Sequence, residues 1–134
     1  MNLTDVLPVQ DTNSSIWFDA AKNEKLLLQR DPLTGKSQFY PRAHVLGAPD
    51  REPEWHEASG KGTLYSYTVV HRSIHPQFAS FTPFVIALVD LDEGVRMTSW
   101  LVDVPLDQLR CDMKVKVVFR DIHKDLKLPC FTGA

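Results

Sequence analysis

The sequence predicts a mainly β protein, in which a short N-terminal helix and a small module of two hairpin-like turns precede a barrel of five strands. Three features indicate this class. Gly60 and Gly62 introduce a run of β-branched and aromatic residues at 63–70, a composition that suits a pleated, half-buried surface. An apolar segment at 84–89 is followed by a glycine-containing turn at 90–94, as expected of two antiparallel strands. Two further strand-like segments then complete the second half of the chain.

Length and composition limit the classes to which this chain can belong. Its 134 residues are enough for one core and a small extra module. The net charge of -2 argues against nucleic-acid binding, which normally needs a basic stripe. The longest apolar run, at 84–89, is far shorter than the ~20 residues of a membrane span, and no signal peptide is recognisable. Cys111 and Cys130 are expected to be free thiols, and the predicted location is cytoplasmic.

The N-terminal segment carries one short helix. Residues 1–11 are expected to form a loosely held tail, and capping side chains at 12–14 precede the apolar residues of the helix. A helix of about two turns is marginal in isolation, so Trp17 has to dock on something. Two interpretations remain open: Trp17 anchors the helix on the rest of the chain, or Trp17 and Phe18 are presented to another subunit.

The next segment resembles a rubredoxin-like zinc ribbon without its ligands. Two short strands, at 25–30 and 38–40, are separated by a turn at 31–36, and a second turn follows at 43–49. A zinc ribbon needs four soft donors in a tetrahedral array. The usual ligand positions hold Asp31, Thr34, Val45 and Ala48, so we expect a degenerate ribbon and no structural zinc. The polar residues at 50–57 are interpreted as a linker, which divides the chain into an N-terminal module at 1–57 and a barrel domain at 58–134.

The barrel begins with a long, bent strand entered through a glycine hinge. Strict alternation would place residues 63, 65, 67 and 69 on one face and residues 64, 66, 68 and 70 on the other. A loop at 73–83 contains Phe78 and Phe81, which would be costly to expose. These two side chains are therefore expected either to meet a partner or to pack into the core.

The remaining elements follow the order of a known barrel. The run at 84–89 is expected to be buried on both faces or nearly so, and residues 95–102 form the returning strand. A short helix is predicted at 103–110, followed by strands at 113–120 and 126–131. Pro129 cannot donate to a ladder, so the last strand should lie at an edge or end there. Three strands, a helix and two strands is the order of an OB-fold.

Several motifs, taken in order, resemble one known family. They are IWFDA at 16–20, LLLQR at 26–30, FYPR at 39–42, SGKGT at 59–63 with YSY at 65–67, ALVDLDEGVR at 87–96 and LPCF at 128–131. Together they resemble the bacterial and archaeal family called domain of unknown function thirty-five, which joins a rubredoxin-like zinc ribbon to an acyl-CoA-associated OB-fold. The resemblance extends from Trp17 to Phe131, and the loss of the ribbon cysteines is the one departure.

The resemblance implies an auxiliary subunit that is not a self-sufficient enzyme. Family members are similar in pairing with thiolase-like condensing enzymes, acyltransferases or retro-aldolases that act on acyl-CoA thioesters, and in being fused to hydratase domains. A hetero-oligomer is therefore expected, with acyl-CoA as the candidate ligand at the interface with the partner and no cofactor or metal otherwise. The resemblance associates the chain with lipid or steroid metabolism.

The residues themselves predict binding rather than catalysis. Neither cysteine has a histidine nearby in sequence to act as a base, and the glycines at 60 and 62 lack the P-loop spacing. CoA phosphates call for cationic groups, and the candidates are Arg42, Lys61, His71 and Arg72, which would otherwise be solvated surface charges. The candidate partner-interface residues are Trp17, Phe18, Phe78 and Phe81.

An alternative hypothesis is a binder of single-stranded nucleic acid, because OB barrels often combine stacking aromatics with a basic groove. The candidate stacking residues are Tyr65, Tyr67 and Trp100, and the candidate charges are Lys114 and Lys116.

Overall fold

The computed structural model describes residues 7–134, so the tail predicted at 1–11 lies largely outside the described part. The chain forms, in order, the helix α1 (Thr12–Lys22), the strands β1 (Leu27–Arg30), β2 (Ser37–Gln38), β3 (Glu54–Glu57) and β4 (Lys61–Val70), the short helix α2 (Pro76–Ala79), and the strands β5 (Phe84–Leu91) and β6 (Arg96–Leu101). A 3-10 turn (Leu106–Gln108) leads to the strands β7 (Lys114–His123) and β8 (Leu126–Gly133). The chain is therefore mainly β, with an N-terminal helix, as the sequence predicts.

Five strands close into a barrel in the order β4-β5-β6-β8-β7. Neighbouring strands are antiparallel except β6 and β8, which run parallel and are paired at Leu101 and Phe131. β7 closes the barrel on β4 through pairs such as Gly62 with Val115. This is the strand order of an OB-fold, so the predicted fold class is confirmed.

The glycine hinge exists, but the alternation predicted along β4 is wrong. Gly60 has a φ of +77°, and a Cβ at that position would clash with Val117. Beyond the hinge, a β-bulge between Leu64 and Ser66 leaves Tyr65 without a partner on β5. A bulge inserts one residue and reverses which face the following side chains occupy, so Leu64 and Tyr67 both contact the core.

The apolar run of β5 is fully buried on one face and half-buried on the other, where Ile86 is the one exposed residue; this is close to the expected burial on both faces or nearly so. Val85, Ala87 and Val89 are buried in the barrel core. Ile86 points outward and is 36% exposed. The difference is functionally informative, because an outward isoleucine on a barrel strand contributes to an external apolar surface.

Residues 54–57 form a strand and not part of a linker. β3 pairs with β1, which also pairs with β2, giving a three-stranded antiparallel sheet in the order β2-β1-β3. Polar side chains hid this strand from the composition argument, because Glu54 and Glu57 at its two ends are exposed and the residues between them are half-buried. No alternation of apolar and polar residues therefore marks β3.

The core is continuous between the N-terminal module and the barrel. Leu26 and Leu28 are buried together with barrel residues such as Leu64 and Phe131. Trp17 of α1 packs against the same cluster. The division of the chain at residue 57 remains a prediction, and apolar contacts cross that position.

Two helical predictions needed correction. The rim loop at 73–83 contains the four-residue helix α2, whose N-terminus is capped by the His75 side chain. The helix predicted at 103–110 is reduced to a 3-10 turn that starts after Pro105. Within residues 7–134 no helix has the length and apolar character needed to cross a membrane.

Candidate functional site

An apolar groove of about 610 Å³ lies on the outer surface, between α1 and the seam where β6 and β8 diverge. Its volume is within the range of sites that bind small molecules or short segments of protein. The described residues that line it are Pro8, Ser14, Trp17, Phe18, Phe39, Tyr40, Pro41, Phe78, Ile86, Met97, Thr98, Ser99, Trp100, Ile122, Leu128, Pro129 and Cys130. None of these side chains is charged, and six are aromatic.

One wall of the groove is α1, whose N-terminus is set by a capping box in its first turn. The Asp11 side chain accepts hydrogen bonds from the main-chain N–H groups of Asn13 and Ser14, and the Ser14 side chain accepts from Asp11 N–H, forming a capping box. The bond from Ser14 N–H holds the pKa of Asp11 below its usual value. The cap anchors a helix that packs against β8 and β1, with Trp17 and Phe18 in edge-to-face contact at 5.0 Å between ring centroids.

A second wall is the strip Phe39-Tyr40-Pro41, which extends the aromatic surface from α1. Phe39 lies 6.0 Å from the Trp17 ring and 4.2 Å from the Tyr40 ring. Tyr40 is 52% exposed. Such exposure of an aromatic ring beside a groove is typical of a binding surface.

Two buried glutamines hold this strip in place, and the sequence analysis did not identify them. The Gln29 side chain accepts from Arg42 N–H at 2.8 Å and donates to Arg42 O at 2.8 Å. Gln38 donates to Gln29 Oε1 and accepts from Leu46 N–H. Buried polar side chains are expected to be hydrogen-bonded, but their partners are main-chain groups that no side-chain pattern reveals.

The third wall is an aromatic cluster on the barrel. Phe78 of α2 lies 6.0 Å from Trp100 and 6.2 Å from Phe84, and Phe81 lies 6.0 Å from Trp100. Phe18, Phe78 and Phe81 also pack around the buried residues Ile122 and Leu126. Of the two interpretations offered for the rim-loop phenylalanines, packing holds for both, and Phe78 also lines the groove.

Three of the four predicted partner-interface residues, Trp17, Phe18 and Phe78, thus line one groove. Phe81 supports it through the Trp100 contact. Trp17 both anchors α1 on the core and lines the groove, so its two interpretations are compatible. Within the described part of the chain, Trp17 Nε1 is buried and has no hydrogen-bond partner.

The predicted CoA-binding cations do not form one cluster. Arg42 follows Pro41 at the groove margin, and its side chain is exposed. Lys61 begins β4, whereas His71 and Arg72 follow its other end; ten residues of strand separate these positions by roughly 30 Å along the chain. All four side chains are exposed, and their role in binding CoA stays a prediction.

The segment predicted to be a degenerate zinc ribbon has, at its four usual ligand positions, no donor set that fits zinc. The Asp31 carboxylate forms two bonds with the Arg51 guanidinium, at 2.6 and 3.1 Å, and accepts from Leu33 N–H. The Arg51 hydrogen bond lowers the pKa of Asp31 to about 2. At the other three usual ligand positions, the Thr34 hydroxyl accepts from Lys36 N–H at 3.3 Å, and Val45 and Ala48 are buried and offer no side-chain donor. An ion pair and apolar contacts thus occupy the place of a metal, and the absence of zinc from the chain stays a prediction.

Neither thiol is arranged for nucleophilic catalysis. Burial raises the pKa of the Cys130 thiol to about 11, which keeps it protonated at neutral pH. Cys111 is exposed after the 3-10 turn. Among residues 7–134 no group of three or more His, Cys, Asp or Glu side chains could hold a metal ion.

The stacking residues of the nucleic-acid hypothesis are engaged within the protein. The Arg96 guanidinium lies 3.4 Å from the centroid of the Tyr65 ring, and hydrogen bonding to Asp90 holds Arg96 there and raises its pKa. Tyr67 packs on the core, and Trp100 contacts three phenylalanines. Tyr65 is nevertheless 49% exposed and Trp100 lines the groove, so the nucleic-acid hypothesis stays a prediction.

Comparison with known proteins gives consistent matches over this fold. A family described as "ChsH2, C-terminal OB-fold domain" matches residues 55–120. The "Probable enoyl-CoA hydratase alpha subunit" of Thermomonospora curvata is 32% identical over 127 residues, which are 95% of this chain and 39% of that subunit. A "DUF35 domain-containing scaffold protein" of Methanothermobacter thermautotrophicus is 32% identical over 105 residues, covering 72% of this chain and 78% of that protein.

A solved structure entitled "Ltp2-ChsH2(DUF35) aldolase" contains a chain that is 31% identical to this one. It superimposes with a TM-score of 0.85 over 95% of this chain and 98% of the matched chain. The chain described here therefore spans about two fifths of the hydratase subunit but nearly all of the matched chain in the aldolase structure.

Proposed function

The chain belongs to the DUF35 family, and from that premise we propose that it is a non-catalytic auxiliary subunit that binds and completes an enzyme acting on acyl-CoA thioesters. The observation that carries the proposal is the uncharged aromatic groove shared by α1, the Phe39-Tyr40-Pro41 strip and the barrel. A surface of this kind is costly to leave in water and is characteristic of a site for protein association.

Relatives suggest the class of partner. The similar chains carry names that include a hydratase alpha subunit and an aldolase complex. We extend these to a partner of the thiolase-like, acyltransferase or retro-aldolase kind, in a hetero-oligomer located in the cytoplasm. The two unpaired cysteines are consistent with a reducing compartment.

The contribution to CoA binding is the finer part of the proposal. Arg42 is the best placed of the four cations, because it follows directly on a residue that lines the groove. A guanidinium can bind a phosphate through two parallel hydrogen bonds. We propose that Arg42 contacts a CoA phosphate at the edge of the assembled interface and that Lys61, His71 and Arg72 are secondary candidates.

Co-expression with a candidate acyl-CoA enzyme tests the subunit role. The aldolase polypeptide of the Ltp2-type complex is a suitable first partner. We expect the two chains to elute together in size-exclusion chromatography and the enzyme to lose turnover when this chain is omitted. A solitary, monodisperse protein that leaves the stability and turnover of such enzymes unchanged would refute the proposal.

A matched pair of isoleucine substitutions tests whether the groove is the interface. Ile86→Lys places a charge in the groove, whereas Ile74→Lys changes a fully exposed residue outside its lining. We expect Ile86→Lys to abolish co-elution and Ile74→Lys to preserve it, because burying an unpaired ammonium at an interface is costly. Equal behaviour of the two variants would place the interface elsewhere.

A further inference from the structure

The edge of β6 beside the groove indicates what kind of segment the groove holds. We propose that it binds an extended, uncharged segment of a partner protein, which adds to the barrel as a strand alongside Thr98. The inference deepens the proposed function by naming how the partner is held, and it rests on that function only in taking the occupant to be a polypeptide.

Among residues 7–134, β6 has one neighbouring strand along its whole length and a second at its end alone. β5 pairs with all of β6, from Arg96 to Leu101. On the other side, β8 is paired with β6 at Leu101 and Phe131 only. β8 still lies close at Ser99, whose Oγ donates to Pro129 O at 2.6 Å. Before Ser99, that side of β6 opens into the groove, whose lining includes Met97 and Thr98.

The hydrogen-bond register shows which main-chain groups face the opening. Leu91 N–H donates to Val95 O at 2.8 Å across the β5–β6 hairpin. Hydrogen-bonded positions alternate along an antiparallel pair, so the odd-numbered residues of β6 bond to β5 and the even-numbered residues face away. Val102 N–H agrees with this register, since it donates to Phe131 O on β8 at 2.7 Å. By the same register, Thr98 directs its N–H and C=O towards the groove.

This edge has little of the protection that natural sheets give to free strands. Edges are usually covered by charges, prolines, bulges or another element. Arg96, the nearest charge on β6, is held on the Tyr65 ring and bonded to Asp90. Thr98 is exposed, and within residues 7–134 no strand is paired with it on the side away from β5.

The absence of charge on the described lining residues indicates that the bound segment is uncharged. The described lining residues of the groove are uncharged, so a charged side chain entering it would lose hydration without gaining a partner. Trp17 and Trp100 flank the edge with apolar ring surface for alternate side chains of an extended segment. Main-chain pairing combined with side-chain pockets is the recognition mode of strand addition.

A small apolar ligand, such as an acyl chain, would differ from a peptide in one measurable respect. It could fill the groove by contact with the aromatic rings, but it lacks the regularly spaced N–H and C=O groups that would form hydrogen bonds with the main chain of β6. The Thr98 amide would then keep exchanging with solvent. Protection of that amide therefore distinguishes strand addition from apolar filling.

The test uses the isolated chain and a phage-displayed library of random dodecapeptides. Selected peptides are synthesised, and amide hydrogen exchange of the ¹⁵N-labelled protein is measured by NMR with and without them. Decanoyl-CoA is the comparison ligand. Thr98→Pro removes the main-chain donor, and Thr98→Val is the matched control that keeps it.

We expect apolar, uncharged binders that slow exchange of the Thr98 amide by about tenfold or more, the factor that one hydrogen bond supplies. Binding should fall at least about tenfold with Thr98→Pro and stay within about threefold with Thr98→Val. If Thr98→Pro does not fold, protection of the Thr98 amide from hydrogen exchange in the parent protein is the deciding measurement.

The inference is overturned if the library yields no binder, or if peptides bind without protecting Thr98. It is also overturned if decanoyl-CoA occupies the groove and no peptide does. None of these measurements involves the enzyme partner, so a negative result leaves the co-expression test, and hence the proposed subunit role, standing.

Discussion

Leu28→Ala tests whether the N-terminal module and the barrel form one cooperative unit. Leu28 belongs to the small three-stranded sheet, yet it is 0% exposed and packs in the core of the barrel. Truncating a leucine at such a site costs about 2–5 kcal/mol, through lost transfer free energy and a residual cavity. We expect a loss of about 3 kcal/mol, because residues from both modules surround the position and limit collapse.

The expected change in Tm follows from the size of the chain. An unfolding entropy of about 2.1 cal/mol/K per residue gives about 280 cal/mol/K for the 134 residues. A loss of about 3 kcal/mol then lowers Tm by about 11 °C. Urea unfolding should show a lower midpoint with an unchanged m-value, because the surface exposed on unfolding is the same.

The assay follows unfolding by far-UV circular dichroism and by tryptophan fluorescence. Trp55 lies in the three-stranded sheet and Trp100 in the barrel, so fluorescence reports on both parts. Leu33→Ala is the matched control, since Leu33 is 74% exposed, and its stability should change by no more than about 0.5 kcal/mol. Two separate transitions, with Leu28→Ala moving only the earlier one, would refute a shared core.

Three further outcomes are expected. Asp31→Asn should lower the Tm at neutral pH, and the difference in Tm from the parent protein should shrink as pH falls from about 3.8 to about 2. The reason is that the ion pair stabilises the fold only while the Asp31 carboxylate, whose pKa is lowered, is ionised. A Tm difference that stays constant over these pH values would contradict this. Gly60→Ala should be more destabilising in urea than Gly94→Ala, since both have positive φ but only Gly60 also meets a neighbouring side chain; equal losses would disprove the close contact. Ellman's reagent should titrate Cys111 alone in the native protein and Cys130 only after unfolding; two rapidly reacting thiols would show that Cys130 is accessible.

Much of the fold could be predicted because its signals are local. The glycine hinge at Gly60, the hairpin turn that contains Gly94 and the order of strands all follow from residue types with specific conformational preferences. The bulge at Tyr65 could not be predicted, since an inserted residue changes the register through pairing with β5 and leaves no mark in composition. β3 was missed because a short, half-solvated strand resembles a polar linker.

The aromatic residues of the groove could be predicted from the sequence, but the strand residues that complete its lining could not. Trp17, Phe18 and Phe78 are large apolar side chains in segments too short to bury them alone, which is why they could be identified. The contribution of Ile86 and Thr98 depends on which face of each strand is outside and on where β6 loses its neighbour. Those facts arise from barrel closure and have no counterpart in the sequence.

The pairing of Asp31 with Arg51 has a consequence for how the subunit is made in the cell. The turn at 31–36 is held by an ion pair between two side chains of the same chain, so this contact can form as soon as both residues have been synthesised and does not itself require a metal ion. Chelators or peroxide would have no thiolate–metal bond to attack at these positions. We therefore expect growth under metal scarcity to leave the amount of folded chain undiminished.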